Sequence, residues 1–183
     1  MKTLKTILIV FLLLRAVVSF GQTKEETIEW LNNNGSTLLN TGIFKQNDNG
    51  INAFLQRFEK IKNDTMLYYQ SFDCQSCGDK TLDITIDNIP VSSILYQDVN
   101  TLVKMKSERN QNIGYFVVRL IPNTNVPTYV SISSYRKEYY RNDQKDKIEF
   151  YYQLNNEENA KRVLKAIMHL AKLSGAKENK QTF

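Results

Sequence analysis

The feature that most constrains the fold is a series of short segments in which apolar and polar residues alternate. Alternation with a period of two is typical of a half-buried β-strand. The segments cover residues 53–61, 66–72, 82–86, 102–106, 115–121, 129–134 and 147–154. The polar stretches at 107–113, 122–127 and 142–146 are predicted turns, and they are too short for the crossover helices that parallel strands require. We therefore predict an antiparallel sheet of about seven strands.

Two details of this pattern predict local structure. Residues 53–61 also carry a helical spacing of apolar residues, but the hairpin-like pair Asn63 and Asp64 that follows favours a strand. In residues 82–86 the apolar side chains at even positions are predicted to face the core. The polar side chains at odd positions, up to Asp87, are predicted to face water.

A short helix is predicted to begin close to residue 23. Thr23 and Glu26 have the spacing of a capping box, in which each side chain bonds the other residue's backbone amide. Trp30 is the predicted anchor of this helix in the core. Gly35 is predicted to end the helix. Residues 32–50 are rich in Asn, Gly, Thr and Ser, which predicts a loop.

The clearest helical pattern closes the sequence. Asn156 is its predicted N-cap and Gly175 its predicted C-terminal stop. Apolar residues recur at spacings of three, four and seven and form one stripe: Ala160, Val163, Leu164, Ile167, Leu170 and Ala171. His169 lies away from this stripe and is predicted to be solvated. We expect the helix to pack on the sheet and to plug an open end of a curled sheet or barrel.

Residues 1–21 have the pattern of a cleaved secretory signal peptide. Lys2 and Lys5 precede an unbroken apolar run over residues 7–14, and Ser19 and Gly21 are small residues that suit a signal peptidase. Cleavage between Gly21 and Gln22 leaves 162 residues and lowers the formal net charge from +5 to +2. The apolar run is shorter than the roughly 20 residues of a membrane span. A periplasmic or secreted protein is predicted, with no transmembrane segment in the mature chain.

The mature chain has no internal repeat and no linker between domains. We divide it into an N-terminal helix and loop (22–50), a single antiparallel β domain that ends with the amphipathic helix (51–175) and a flexible tail (176–183). The fold class predicted from this order of elements is α+β.

Cys74 and Cys77 are the two cysteines of the chain. Export to an oxidising compartment favours a disulfide that tightens the loop between two strands. Unpaired structural thiols, or redox or metal chemistry, are the alternatives. The acidic neighbours Asp73 and Asp79 argue against a reactive thiol, because negative charge raises the pKa of a cysteine.

An aromatic and basic stretch is the predicted binding surface. It contains Tyr135, Arg136, Lys137, Tyr139, Tyr140 and Arg141. Such a surface suits a protein, a glycan or an anionic lipid. No nucleic-acid partner is expected, because the predicted signal directs the protein out of the cytoplasm. Tyrosines that only occupy a half-exposed sheet are the alternative interpretation.

Catalysis is not expected from the motifs. The chain has one histidine and no G-x-S-x-G, H-E-x-x-H or P-loop pattern. We expect no cofactor and no metal site. The predicted function is that of an exported soluble binding or interaction domain. The alternative is a thiol–disulfide or thiol–metal protein that uses Cys74 and Cys77.

The order of strands followed by one amphipathic helix resembles the pleckstrin-homology-like superfold over residues 50–175. The chain also resembles a group of uncharacterised small secreted bacterial proteins, through the start TKEETIEWL at residues 23–31 and AIMHL at residues 166–170. The first resemblance implies a curled barrel plugged by the C-terminal helix. Neither resemblance implies an activity, because one superfold hosts many functions.

Overall fold

The computed structural model describes residues 22–47, 50–74, 81–107, 110–133 and 136–179. Helix α1 (Lys24–Leu38) precedes seven strands, and helix α2 (Glu157–Leu173) follows them. The strands are β1 (Asn40–Asn47), β2 (Gly50–Lys62), β3 (Thr65–Cys74), β4 (Thr81–Pro90), β5 (Val103–Ser107), β6 (Asn110–Ile132) and β7 (Lys137–Gln153). The α+β class, the antiparallel sheet and the two flanking helices are thus confirmed.

The sheet is built around the long strand β6. Neighbouring strands run antiparallel in the order β1-β2-β3-β4-β6, and β7 pairs with β6 along nearly its whole length. β4 and β5 share the opposite edge of β6, where β4 pairs with residues 128–132 and β5 with residues 110–117. Among the described residues no strand pairs with the outer edge of β1 or of β7. The sheet is therefore open.

The predicted turns at 122–127 and 142–146 are wrong, because β6 and β7 continue through them. The pairing of β6 with β7 shifts register between Arg119 and Thr124, and Asn123 has a left-handed φ of 59°. Turn-forming residues therefore make a β-bulge here. A bulge bends a strand and leaves its direction unreversed.

The predicted loop over 32–50 is also wrong. Helix α1 continues to Leu38, and β1 pairs with β2 along its whole length. Gly35 does not end the helix but lies buried inside it against Phe58. A Cβ at position 35 would lie 2.4 Å from Cδ1 of Phe58. The glycine is needed for this close approach of helix and sheet.

The hairpin predicted at Asn63 and Asp64 is confirmed. Both residues have left-handed φ angles, 50° and 54°, and they connect Lys62 to its partner Thr65. A two-residue turn of this conformation matches the natural twist of the strands that it joins.

The predicted burial of β4 is wrong at Asp87, and residues 83–86 are half-buried on both faces of the strand. Ile84 and Ile86 are half-buried like Asp83 and Thr85, whereas Asp87 is 2% exposed and Ile89 is fully buried. The carboxylate of Asp87 accepts hydrogen bonds from Thr128 Oγ1 at 2.9 Å and from Lys145 Nζ at 2.5 Å. These partners satisfy the charge, so the acidic side chain can lie on the core side of the strand.

Helix α2 buries its predicted apolar stripe in the same core as the sheet and α1. Gly175 ends it with a φ of 77°, as predicted. Asn156 does not cap the backbone of α2; its side-chain amide donates to the carbonyl of Leu38 at the end of α1. In the predicted tail, Ala176 is buried, and the backbones of residues 177 and 179 bond the backbone of Tyr96.

The two helices lie side by side and run in opposite directions. The carbonyl of Gln22, just before α1, lies 2.8 Å from Nε2 of His169 near the end of α2. At the other end, Leu38 meets Asn156. No helix in the described part of the chain is both long and apolar enough to cross a bilayer.

Candidate functional site

The predicted aromatic and basic surface lies on the hairpin that joins β6 to β7. Tyr135 lies outside the described residues, and Arg136 has a left-handed φ of 48° in the connection. Lys137, Tyr139 and Arg141 alternate along β7 and therefore share one face of the strand. Tyr140 points to the opposite face, where it is 81% exposed and contacts Tyr129 with 5.2 Å between ring centroids. The described residues of the predicted surface are thus divided between two faces.

Two of the basic side chains in this hairpin have partners on their own strand. The ammonium of Lys137 lies 5.5 Å from the centre of the Tyr139 ring, and Arg141 Nε bonds Asp143 at 3.0 Å. Of the three described cations, Arg136, Lys137 and Arg141, the last two therefore interact with side chains of their own strand. Exposed pairs of this kind contribute little field beyond a Debye length of about 10 Å.

The cysteine motif lies at the edge of the described structure. Cys74 ends β3, and its backbone pairs with Asn52 and Thr81. Cys77 lies outside the described residues. Within the ranges that the structure describes, no group of three or more His, Cys, Asp or Glu side chains is arranged to hold a metal ion.

A second surface combines aromatic and aliphatic side chains that alternate with the core residues of β5, β6 and β7. We call it the tyrosine face, and it consists of Val103, Met105, Tyr115, Val117 and Tyr151. Met105 pairs with Tyr115, and Tyr115 pairs in turn with Tyr151; Val103 pairs with Val117. Residues directly opposite each other on paired strands point to the same side of a sheet. All five side chains therefore form one surface.

The tyrosines give this surface a rigid centre. The rings of Tyr115 and Tyr151 are stacked with centroids 5.0 Å apart, and Tyr115 Oη contacts the sulfur of Met105 at 3.1 Å. Val103 and Met105 are each 45% exposed. They are two of the four large hydrophobic side chains that the described chain exposes.

Polar side chains surround the tyrosine face. Glu149 accepts hydrogen bonds from Tyr151 Oη at 2.8 Å and from Lys147 Nζ at 3.1 Å. Beside Val103 and Val117 lies a hollow of about 320 Å³, completed by Gln97, Arg119, Asp146 and Lys147. The surface thus has an apolar centre and a charged rim.

Strand β5 leaves one backbone edge open beside this face. Its only described ladder is with β6. Lys104, between the two exposed apolar residues, points to the other side of the sheet and bonds Glu157 at 2.5 Å. The ammonium of Lys104 lowers the pKa of the Glu157 carboxyl, and Lys161 lowers it further. The charge of Lys104 is therefore held away from the tyrosine face.

The sequence pattern predicts the strands of the tyrosine face but not the face itself. Segments 102–106, 115–121 and 147–154 are confirmed as parts of β5, β6 and β7. Tyr and Val suit either side of a strand. Which side lies in water depends on the position of α2 and on the bend of β6, and neither is visible in local alternation.

No significant match was found to a family model, to a curated protein or to a solved structure.

Proposed function

We propose that this protein is an exported, non-catalytic binding domain that recognises a polypeptide through the tyrosine face. The observation that supports this most directly is the exposure of Val103 and Met105, on an edge strand, beside the stacked rings of Tyr115 and Tyr151. Exposed apolar patches with a polar rim are typical of interaction sites.

The composition of the tyrosine face favours a protein partner. Tyr, Met and Arg are enriched in the centres of protein interfaces, and charged side chains are typical of their rims. Tyr115 and Tyr151 are already held by stacking, so little side-chain freedom is lost when a partner covers them. The rings are therefore the expected source of most of the binding energy.

The open edge of β5 suggests how the partner binds. An extended peptide that pairs with this edge gains main-chain hydrogen bonds, and its alternate side chains reach the tyrosine face. Natural edge strands usually carry protective charges on the exposed side. In β5 the described lysine, Lys104, is instead bound to Glu157 on the other side.

Two finer predictions belong to the same proposal. The segment at 1–21 supports export, and N-terminal sequencing of the protein recovered outside the cytoplasm tests it, with Gln22 as the expected first residue. We also propose a pleckstrin-homology-like, incompletely closed barrel. The bend of β6 and the contact between β1 and β7 support this shape. A crystal structure with β1 and β7 far apart contradicts it.

A random peptide library displayed on phage tests the binding proposal. We expect enriched peptides with an extended apolar pattern. Their affinity should fall at least about tenfold in Met105→Glu and in Tyr151→Ala, because a charge or a lost ring disrupts the centre of the interface. Amide chemical shifts should change along Val103–Ser107.

Tyr140→Ala is the matched control, because it removes a tyrosine ring that is far more exposed and lies on the hairpin. We expect this variant to bind the same peptides with unchanged affinity. Peptides that bind Met105→Glu as well as the original protein would contradict the proposal. So would failure to enrich any peptide, together with binding to a glycan array that depends on Tyr115 and Tyr151.

A further inference from the structure

A groove between α1 and α2 forms a second surface, separate from the tyrosine face. It has a volume of about 390 Å³ and is lined by Gln22, Trp30, Arg162, Lys165, Ala166 and His169. Trp30 packs partly against the core, and the guanidinium of Arg162 lies 5.9 Å from the centre of its ring. The predicted core anchor thus also reaches the surface, at the bottom of a basic groove.

Beside the groove, the outer sides of the two helices carry opposite charges. Glu25, Glu26 and Glu29 are exposed on α1, and Arg162 and Lys165 are exposed on α2. The Glu26 carboxylate accepts a hydrogen bond from the amide of Thr23 in the capping box. No ion pair within the described residues involves Glu29, Arg162 or Lys165. These three charges therefore face water without an oppositely charged partner in the described chain.

The positions of these charges along the helices match. Counting from the contact between Gln22 and His169, Glu29 lies seven residues along α1 and Arg162 lies seven residues back along α2. Both are thus about 10.5 Å from that contact, at 1.5 Å per residue. By the same count Glu26 and Lys165 are each about 6 Å from it. Acid and base therefore lie at equal levels on the two helices.

We propose that this helical face binds a second copy of the same chain. A two-fold axis along the groove, in the plane of contact, places α1 of each copy against α2 of the other. The rotation preserves the level along the axis, so Glu29 of one copy meets Arg162 of the other, twice per dimer. Trp30 lies between the helices, so the dimer covers the indole rings of both copies near the two-fold axis.

Charge favours this occupant over the chain's own leader. Residues 1–21 precede Gln22 in the sequence but contain no acidic residue, so they do not complement Arg162 and Lys165. A second copy supplies acids at the required spacing. An aromatic centre with Arg at its edge is also the composition of an interface hot spot.

The contact area of the helical face indicates how strongly the two copies should associate. Helix α1 has 15 residues, so it is about 22 Å long. Two helices side by side are about 20 Å wide, which gives on the order of 900 Å² of total contact, at the low end for specific interfaces. We therefore expect a weak dimer, with a dissociation constant roughly in the micromolar to millimolar range.

Sedimentation equilibrium of the chain that starts at Gln22, up to millimolar concentration and at low salt, tests the proposal. We expect a monomer–dimer equilibrium. Glu29→Lys and Arg162→Glu should each raise the dissociation constant at least about tenfold, because each places like charges opposite each other.

The decisive sample is an equimolar mixture of these two variants. In its heterodimer the introduced lysine faces the introduced glutamate at one contact, and the original Glu29 faces the original Arg162 at the other. Both contacts then join opposite charges, so association should return to within about threefold of the original value.

Lys177→Glu is the control, because it makes the same charge change on an exposed residue outside the groove. It should leave the dissociation constant unchanged, and circular dichroism should be native for every variant. The fluorescence of Trp30, the single tryptophan, should shift on dilution at the concentration where the dimer dissociates. A monomer at millimolar concentration, equal association of both single variants and the original protein, or no recovery in the mixture would each overturn the proposal.

Discussion

Asp87 is the one charged side chain among the fully buried residues of the described chain. Its carboxylate is held by Thr128 from β6 and by Lys145 from β7. The side chain of Lys145 remains 27% exposed, so the pair joins the core to the surface. Removing one partner of such a pair leaves a buried charge without compensation, whereas removing both is often nearly neutral.

We expect Lys145→Met to lower the free energy of unfolding by about 3 kcal/mol, because it leaves the Asp87 carboxylate buried and uncompensated. Adding Asp87→Asn should restore most of this loss, since the amide can still accept the hydrogen bond from Thr128. Urea unfolding followed by the fluorescence of Trp30 measures both values. Lys147→Met is the control: its pair with Glu149 is exposed, and we expect a change below about 1 kcal/mol. Equal losses for the two lysines would contradict this account.

Two buried tyrosines differ in how their hydroxyl groups are satisfied. Tyr68 Oη donates to Gln56 at 2.9 Å and lies 3.1 Å from the carbonyl oxygen of Glu149. In the described part of the chain nothing hydrogen-bonds to Tyr152 Oη. Burial raises the pKa of both phenols, that of Tyr152 to about 12. Their folded-state pKa values therefore exceed the unfolded value of about 10.

Because the pKa of the phenol is higher in the folded state, the neutral phenol contributes fully to the free energy of unfolding below about pH 10. This contribution is lost as the pH rises toward 12. For Tyr152 the expected loss is about 2–3 kcal/mol. We expect Tyr152→Phe to have unchanged or higher stability at pH 8 and a shallower loss toward pH 12. Tyr68→Phe should instead cost about 1–2 kcal/mol at pH 8, because it removes the hydrogen bond that the buried hydroxyl donates. Urea unfolding at several pH values tests both, and an alkaline loss equal in Tyr152→Phe and the original protein would contradict the assignment.

The Asn32 side chain of helix α1 hydrogen-bonds to the backbone of strand β2 as a neighbouring strand would. Asn32 donates to the carbonyl of Ile61 at 3.2 Å and accepts from its amide at 2.7 Å. The register of β2 shifts between Phe58 and Lys60. Beyond the shift Ile61 pairs with Met66 of β3, but β1 pairs with β2 only as far as Arg57. On that edge of β2, Asn32 bonds both backbone groups of Ile61. An asparagine at a predicted helix end is thus the link between two layers.

Asn32→Ala should therefore loosen α1 specifically. We expect it to lower the free energy of unfolding by about 1–3 kcal/mol, because it leaves two backbone groups of Ile61 unsatisfied. Amide hydrogen exchange should accelerate in α1 and at Ile61 more than in β6. Asn33→Ala, at the exposed neighbouring position, is the control and should be neutral or slightly stabilising, since alanine favours helices. Equal acceleration in both variants would exclude a specific role for Asn32.

Local pattern predicted those elements whose residues all favour one structure. The stripe of α2 and the capping box at Thr23 and Glu26 agree with the structure. Pattern was misleading where turn-forming residues lie in a continuous strand, as at Asn123 in β6. A bulge and a turn use the same residues, and long-range pairing with β7 decides between them. The tyrosine face and the helical groove depend on which elements become neighbours, so neither was predictable.

All the described elements that bury side chains share one core. Leu31 of α1, Phe58 of β2, Phe150 of β7 and Leu164 of α2 are fully buried in a single cluster. If residues 22–50 formed a unit separate from the rest of the chain, their contacts would lie mainly within that unit. Instead, α1 packs on α2 and on β2, and β1 extends the sheet. Segments that share a core are expected to unfold together.

We therefore expect one cooperative transition in urea. The emission of Trp30 reports on α1, and near-ultraviolet circular dichroism of the tyrosines reports mainly on the sheet, so the two signals separate helix from strands. Their midpoints and slopes should coincide within error, because α1 cannot leave without exposing Phe58 and Leu31 together. Asn32→Ala provides the stricter case: if α1 is part of the single unit, both signals shift by the same amount. A transition of Trp30 that precedes that of the tyrosines would instead make α1 an appendage that docks on an independently stable sheet.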